Sequence, residues 1–239
     1  VVRNSSILLY YVVYPLVICP VLFGFMFMSD SFREIAERLS TVEDVTGKLA
    51  GFALCILMAS VALSTSSNKL AATSVSREGS NLIHMKYIPV PIADQIRAKI
   101  LPSFAISVLI TLVFLGGGGF ILVSSMGMDA LVVVSGCVLM LGGSWLTTCV
   151  SAWTESRSPN VDWGNDGDVN PKTLKGTGGE MRSLLVGLVY AALPLLVSPL
   201  VNLDPHVFMP VLAVVGVVAA VLLGRLLLAA TADNIEAFE

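Results

Sequence analysis

Residues 207–230 of the chain read VFMPVLAVVGVVAAVLLGRLLLAA, and Arg225 carries the only charge in this stretch. An α-helix rises about 1.5 Å per residue, so about 20 apolar residues are needed to cross a hydrocarbon core of roughly 30 Å. The stretch is long enough to do so. It predicts a membrane-spanning helix.

The composition of the whole chain agrees with this local pattern. Of its 239 residues, 55% are hydrophobic and only 13% are charged, and the mean hydropathy is +0.84. About 25% charged residues is usual for a soluble domain. An ordinary soluble protein is therefore excluded, and we predict an all-α polytopic membrane protein.

Six apolar stretches are long enough, or nearly so, to cross a membrane. We predict one transmembrane domain over residues 1–239, with spans at 7–28, 49–64, 101–124, 131–150, 184–201 and 207–230. Pro194 and Pro199 are expected to tilt or kink the fifth span. Two long inner loops, 65–100 and 151–183, join the spans on one side.

Lys and Arg residues set the orientation, because positive charge near the ends of a span resists translocation. If both termini lie inside, the outer side carries only Arg33, Arg38 and Lys48 of the 14 Lys and Arg residues. We therefore expect both termini to be cytoplasmic. On the outer side, the capping pattern of Ser31 and Glu34 predicts a short helix along the interface, as a cap or as a gate.

The first inner loop contains a stiff break, Pro89-Val90-Pro91, followed by a helical pattern. Ile92, Ile96 and Ile100 recur on one helix face, while Arg97 and Lys99 lie on another. The pattern predicts a short amphipathic helix that leads into the third span. Alternatively, the charged residues of this loop only cap helices and face solvent.

The order of residues in this loop resembles that of the permeases of type-2 ATP-binding cassette (ABC) exporters. The resemblance lies in Ser76-Arg77-Glu78-Gly79, then Lys86, then Pro89-Val90-Pro91 and a helix that ends in Ala98-Lys99. A second stretch, Ser158-Pro159-Asn160-Val161-Asp162-Trp163-Gly164-Asn165-Asp166, is similar to a segment of one bacterial branch of large exporters, with Asp166 in place of a Glu.

The resemblance implies a transport mechanism and several partners. Cytoplasmic ATPase subunits would bind ATP and Mg²⁺ and push on the permease in a bacterial cytoplasmic membrane. The first loop, including Arg97, would receive this movement, and the second would contribute Pro159, Asp162, Trp163, Asn165 and Asp166. In that branch the polypeptide is about twice as long, so the chain would be a C-terminal half, consistent with its start at Val1, and would pair with another half or a second copy.

Small residues mark surfaces for helix packing. Gly216, Ala220 and Gly224 recur every four residues on the last span, a spacing suited to close contact with a helix or a subunit. The run Gly116 to Gly119 lies inside a span and lacks a following Lys. We interpret it as a packing or kink site and not as a phosphate cradle.

No motif in the chain supports catalysis or metal binding. It has no G-x-x-x-x-G-K-[ST] sequence, so we expect no ATP hydrolysis and no cofactor in this chain. Its four Cys and two His residues lack metal-ligand spacing, and the acidic run Asp162 to Asp168 lacks the Glu that a calcium loop requires. Membrane lipid is an expected partner, and nucleic acid is not.

Three other classes remain open at this point. A secondary transporter normally needs intramembrane carboxylates or broken helices, and only the prolines of the fifth span favour it. A membrane-embedded enzyme would need polar groups facing each other within the bundle. A non-transporting anchor or assembly subunit fits the composition. The residues do not identify a cargo.

Overall fold

A computed structural model describes residues 17, 45–157, 159, 174–197 and 204–237, and over these residues the chain contains helices and no strand. The helices are α1 (Val45–Ser66), α2 (Lys69–Ala72), a 3-10 helix (Ser76–Tyr87), α3 (Ile92–Thr111), a π-helical segment (Leu112–Gly116), α4 (Gly117–Met126), α5 (Ala130–Ser156), α6 (Leu174–Val197) and α7 (Pro205–Glu236). The all-α prediction is confirmed for this part of the chain.

Five helical stretches are long and apolar enough to cross a membrane. They are Ala53–Ala72, Ile92–Ser124, Ala130–Ser156, Gly179–Val197 and Pro205–Glu236, and they correspond to the second to sixth predicted spans. Apart from Val17, the first predicted span, 7–28, lies outside the described residues. The outer interfacial helix predicted near Ser31 also lies outside them.

The first inner loop differs from the prediction. Residues 65–100 are mostly helical, since α1 runs to Ser66 and α2 and the 3-10 helix follow. The helix that begins after Pro91 is not a separate short element: α3 runs from Ile92 to Thr111 and continues through the π-helical segment into α4. Pro91 stands at the N-cap, where its missing N–H leaves no helical bond unmade.

The central helix, α5, shows how charge limits a span. Its 25 residues between Asp129 and Glu155 carry no charge, and the two carboxylates are separated by about 39 Å along the helix axis. A hydrocarbon core of roughly 30 Å fits between them. The Asp129 carboxylate caps the helix by accepting a hydrogen bond from the backbone N–H of Leu131 at 2.7 Å.

Glycines let the neighbouring helices approach α5 closely. A Cβ atom on Gly143 would lie 3.1 Å from Cβ of Tyr190 in α6, and one on Gly142 would lie 3.2 Å from the backbone of Val217 in α7. The Tyr190 hydroxyl donates a hydrogen bond to the carbonyl of Gly216 at 3.1 Å and so links α6 to α7. Such small-residue contacts are typical of packed membrane helices.

The two predicted groups of small residues both lie at helix contacts within the chain. Gly216, Ala220 and Gly224 are buried, and Gly216 and Gly224 lie against Leu139 and Trp145 of α5. In the glycine run, a Cβ atom on Gly118 would lie 2.5 Å from Leu57 of α1, and one on Gly119 would meet Val133 of α5. A larger residue at these positions would push the helices apart.

The bundle has two ends, one of which carries the long connections. At this end, called the loop end, α1 finishes, α3 begins and both α5 and α7 finish, and residues 67–91 cover it. Asp129 and His206 lie at the opposite end, where the His206 Nδ1 atom is 2.7 Å from the Asp129 carboxylate. Large side chains such as Leu185, Val214 and Leu226 are 59–68% exposed on the outside of the bundle, which is compatible with membrane insertion.

Candidate functional site at the loop end

A small apolar core holds the loop end together. Val75 and Met85 from the connection are buried against Ile96 and Ile100 of α3, and Cys149, Ala152, Leu228, Ala232 and Ile235 complete the cluster from α5 and α7. Segments that connect helices usually run over the protein surface, in contact with solvent. Here the connection contributes to a core, so its position relative to three helices is defined.

The Glu155 carboxylate fixes the start of the 3-10 helix to α5. Its Oε1 atom accepts a hydrogen bond from the backbone N–H of Ser76 at 2.8 Å. Its Oε2 atom accepts from the backbone N–H of Val75 at 3.0 Å and from the Ser74 hydroxyl at 3.3 Å. The first N–H groups of a helix have no partner within the helix, and a negative charge there is favourable. Glu155 supplies acceptors for two of these N–H groups, those of Val75 and Ser76.

A second set of contacts fixes the same segment to α3. The Lys99 Nζ atom lies 2.9 Å from the Glu78 Oε1 atom, so two residues of the predicted first inner loop form an ion pair. The Gln95 side-chain amide donates hydrogen bonds to the carbonyls of Met85 and Val90, at 3.1 and 2.8 Å. These contacts hold both ends of residues 85–90 against the first turn of α3.

A third contact reaches α7. The Lys86 ammonium group donates a hydrogen bond to the Glu236 carbonyl at 2.9 Å, close to the end of the helix. The Asn234 side-chain amide donates to the Ser156 hydroxyl at 2.9 Å and joins the ends of α7 and α5. The connection is therefore attached to α3, α5 and α7 together.

Beyond these attachments, the segment exposes an apolar tip. Tyr87 is 79% exposed, Ile88 48% and Val90 45%, and Pro89 and Pro91 are also exposed. We call residues 87–91 the apex. Contiguous exposed apolar residues on a firmly held segment mark a site for contact with a protein or a membrane.

The structure brings some of the predicted site residues together and separates others. Ser76 is buried and bound to Glu155, Glu78 and Lys99 are paired, and Lys86, Pro89 and Pro91 lie at or beside the apex. Arg97 points away from this set and pairs with Asp94 at 2.6 Å. Arg77 and Gly79 lie within the 3-10 helix. Pro159 follows α5, whereas Asp162, Trp163, Asn165 and Asp166 lie outside the described residues.

Three important residues were missed from the sequence. Glu155 binds residues about 80 positions earlier in the chain, and no local pattern connects them. Gln95 lies on the predicted helix, but its partners are backbone carbonyls, which every residue has. Tyr87 stands between two residues of the quoted motif. An aromatic residue in a polar loop is the feature of the sequence from which an exposed apolar site at this position could have been predicted.

The described residues contain no group of three His, Cys, Asp or Glu side chains placed to hold a metal ion. What the site offers is an exposed apolar surface next to residues held by ion pairs and hydrogen bonds. No family model matches the chain, and no curated protein or solved structure is detectably similar to it.

Proposed function

We propose that the chain is a membrane-embedded permease component of an ATP-driven exporter of the type-2 ABC class. The observation that carries the proposal is the apex, residues 87–91, which is exposed and apolar and ends a connection that is attached to three helices. A cytoplasmic ATPase subunit would bind there, and ATP and Mg²⁺ would bind to that subunit. Movement of the ATPase would then displace α3, α5 and α7 together.

The distribution of charge supports a cytoplasmic position for the loop end. The described residues at or near this end include Lys69, Arg77, Lys86, Arg97, Lys99, Arg157 and Arg182. At the opposite end, the described Lys and Arg residues contribute Lys48, near the start of α1. Excess positive charge is typical of the cytoplasmic side, so we place the loop end and both termini in the cytoplasm of a bacterial cell.

The contacts of the apex support transmission of force. A flexible linker would absorb a push, whereas a segment held by Gln95, Lys86 and Glu155 transmits it. Transport by alternating access further requires a second permease half or a second copy of the chain. We propose that such a partner completes the pathway for a cargo that is not identified.

Purification of the chain from its native membranes tests the proposal. We expect a subunit with a phosphate-binding Gly-Lys-Ser/Thr sequence to co-purify in fixed ratio, and ATP turnover of the complex to depend on the apex. Tyr87→Ser should weaken the complex at least tenfold. Phe120→Ser is the matched control, because Phe120 is also an exposed aromatic residue, at 74%, but lies on α4.

Two outcomes would contradict the proposal. One is the absence of any ATP-binding subunit from the purified complex. The other is an equal loss of the complex in both variants, which would indicate general destabilisation and not a contact at the apex. Transport of cargo driven by an ion gradient without ATP would instead support a secondary transporter.

A further inference from the structure

A groove of about 830 Å³ lies between α3, α5 and α7. Apolar side chains line most of it, among them Phe104, Val138, Trp145, Val217 and Val221. Phe104 and Trp145 meet edge to face with ring centroids 5.2 Å apart. Val138 and Val221 are 38% and 40% exposed, so the groove is open along one side. Its size is within the range of sites that hold small ligands.

Two arginines, Arg97 on α3 and Arg225 on α7, line the same groove. They lie near the loop end, because the neighbouring residues Ile96 and Leu228 belong to the apolar cluster at that end. The groove therefore has a cationic end and an apolar remainder. Such a groove is complementary to an amphiphile that has an anionic head and an apolar tail.

The charge at the cationic end is incompletely balanced. Arg97 pairs with Asp94 at 2.6 Å, and both side chains are about half exposed, at 50% and 51%. Arg225 has no ion pair or hydrogen bond among the residues that the structure describes. Of the other charged groups nearby, Lys99 is paired with Glu78, so the groups named here leave a net positive charge. An anion between the two guanidinium groups would balance it, and Arg binds phosphate well because its donors form a planar fork.

The depth of the groove matches one leaflet of a bilayer. From Pro205 at the start of α7 to Arg225 the helix rises about 30 Å, the thickness of the hydrocarbon core, so Arg225 lies at the level of the headgroups. From Val217 to Arg225 along α7, both of which line the groove, the helix rises about 12 Å, which fits within one leaflet. Half of a bilayer core is about 15 Å.

We propose that this groove holds one anionic phospholipid of the leaflet at the loop end. The lipid phosphate lies between Arg97 and Arg225, and an acyl chain runs along Val138, Val217 and Val221. In this position the lipid phosphate neutralises the charge of Arg225 at the level of the headgroups. This site does not depend on the proposed transport function, because it lies between helices and not at the apex.

Native mass spectrometry of the whole chain in detergent, titrated with phosphatidylglycerol or phosphatidylcholine, tests the site. We expect one phosphatidylglycerol to bind at least tenfold more tightly than phosphatidylcholine. Arg225→Gln should remove most of that preference. Arg182→Gln should retain it, because it deletes the same charge from an exposed position of α6 that does not line the groove.

A second variant tests the apolar part of the groove. Val221→Trp should fill it and weaken phosphatidylglycerol binding about tenfold without changing any charge. An excess of glycerol phosphate should not displace the lipid. Displacement by glycerol phosphate, or unchanged binding to Val221→Trp, would overturn the proposal by showing that only the charge is recognised.

The unmodified chain provides a test that does not depend on how the variants fold. A phosphatidylglycerol with a photoreactive group on its acyl chain should crosslink to residues 138–145 and 217–221 of the chain in native membranes. Crosslinks found only elsewhere would overturn the proposal. So would a protein chain crosslinked to a photoreactive residue placed at Val221, since this would show that a protein occupies the groove.

Discussion

The two ends of α5 each carry one carboxylate, and the two carboxylates differ in their surroundings. Asp129 caps its own helix and lies near His206, and their side chains are 41% and 60% exposed. Glu155 is partly buried and binds two backbone N–H groups and a hydroxyl of a distant segment. Asp129 thus stabilises mainly local structure. Glu155 determines where a connection lies relative to the bundle.

The polar groups at the two ends therefore differ in how easily water can reach them. At the opposite end, water can replace a lost side-chain partner because the groups are exposed. At the loop end, a lost partner leaves backbone donors with little access to water. The consequences of substitution should therefore differ between the two ends, in stability and in the mobility of residues 73–91.

Removing the Glu155 carboxylate should have the largest effect. In Glu155→Ala the N–H groups of Val75 and Ser76 lose their acceptors, and each such loss costs about 1–3 kcal/mol when the group is buried. We expect the free energy of unfolding in detergent micelles to fall by about 3 kcal/mol. Hydrogen exchange should accelerate at residues 73–87. Glu155→Gln, which keeps one acceptor, should lose less.

Gln95→Ala should have the next largest effect. It removes two hydrogen bonds to the carbonyls of Met85 and Val90, each with a net value of about 0.5–1.5 kcal/mol. We expect faster exchange and easier proteolysis confined to residues 85–91. The matched control is Gln95→Glu, which keeps the length of the side chain but not the donors, and it should resemble Gln95→Ala. Unaltered protection of the apex would show that other contacts hold it.

Asp129→Ala should lower the free energy of unfolding by about 1 kcal/mol, the usual value of an N-cap. Asp129→Asn loses the negative charge beside His206, but that contact is exposed and the capping oxygen remains. This variant should therefore be nearly as stable as the original chain. Denaturant titration of both variants separates the two contributions. A loss from Asp129→Ala equal to that from Glu155→Ala would remove the contrast between the ends.

The Glu78–Lys99 pair should contribute least. Its side chains are 35% and 26% exposed, so solvent screens the charges, and such pairs contribute about 0.5 kcal/mol. A double-mutant cycle with Glu78→Gln and Lys99→Met measures this coupling. A coupling energy above about 2 kcal/mol would show that the pair behaves as a buried one, with desolvated charges.

The five helices long enough to span a membrane were predictable because each apolar stretch has the length of a hydrocarbon core and is bounded by charge. The residues at which the helices begin and end were less predictable. The third span was predicted to start at residue 101, but α3 begins at Ile92 and continues through Pro102, so the amphipathic and apolar segments form one helix. The 3-10 helix was missed because its twelve residues are polar on average, unlike those of a span.

Contacts between distant residues were not predictable from one sequence. Ser76, Glu78 and Lys99 were selected from a resemblance, yet their partners include Glu155, which no local pattern marked. Arg225 was recognised as the charge within the last span. That it lines the same groove as Arg97 follows only from the packing.

The sequence by itself determined that the chain is helical and suited to a membrane, because the length of an apolar stretch and the charges at its ends are local properties. It also indicated small-residue faces, since their spacing repeats along one helix. Only the tertiary structure decided that Glu155 holds the start of the 3-10 helix, that residues 87–91 are exposed, and that two arginines share a groove. These features depend on side chains from separate helices, whose relative positions are set by packing and not by the local sequence.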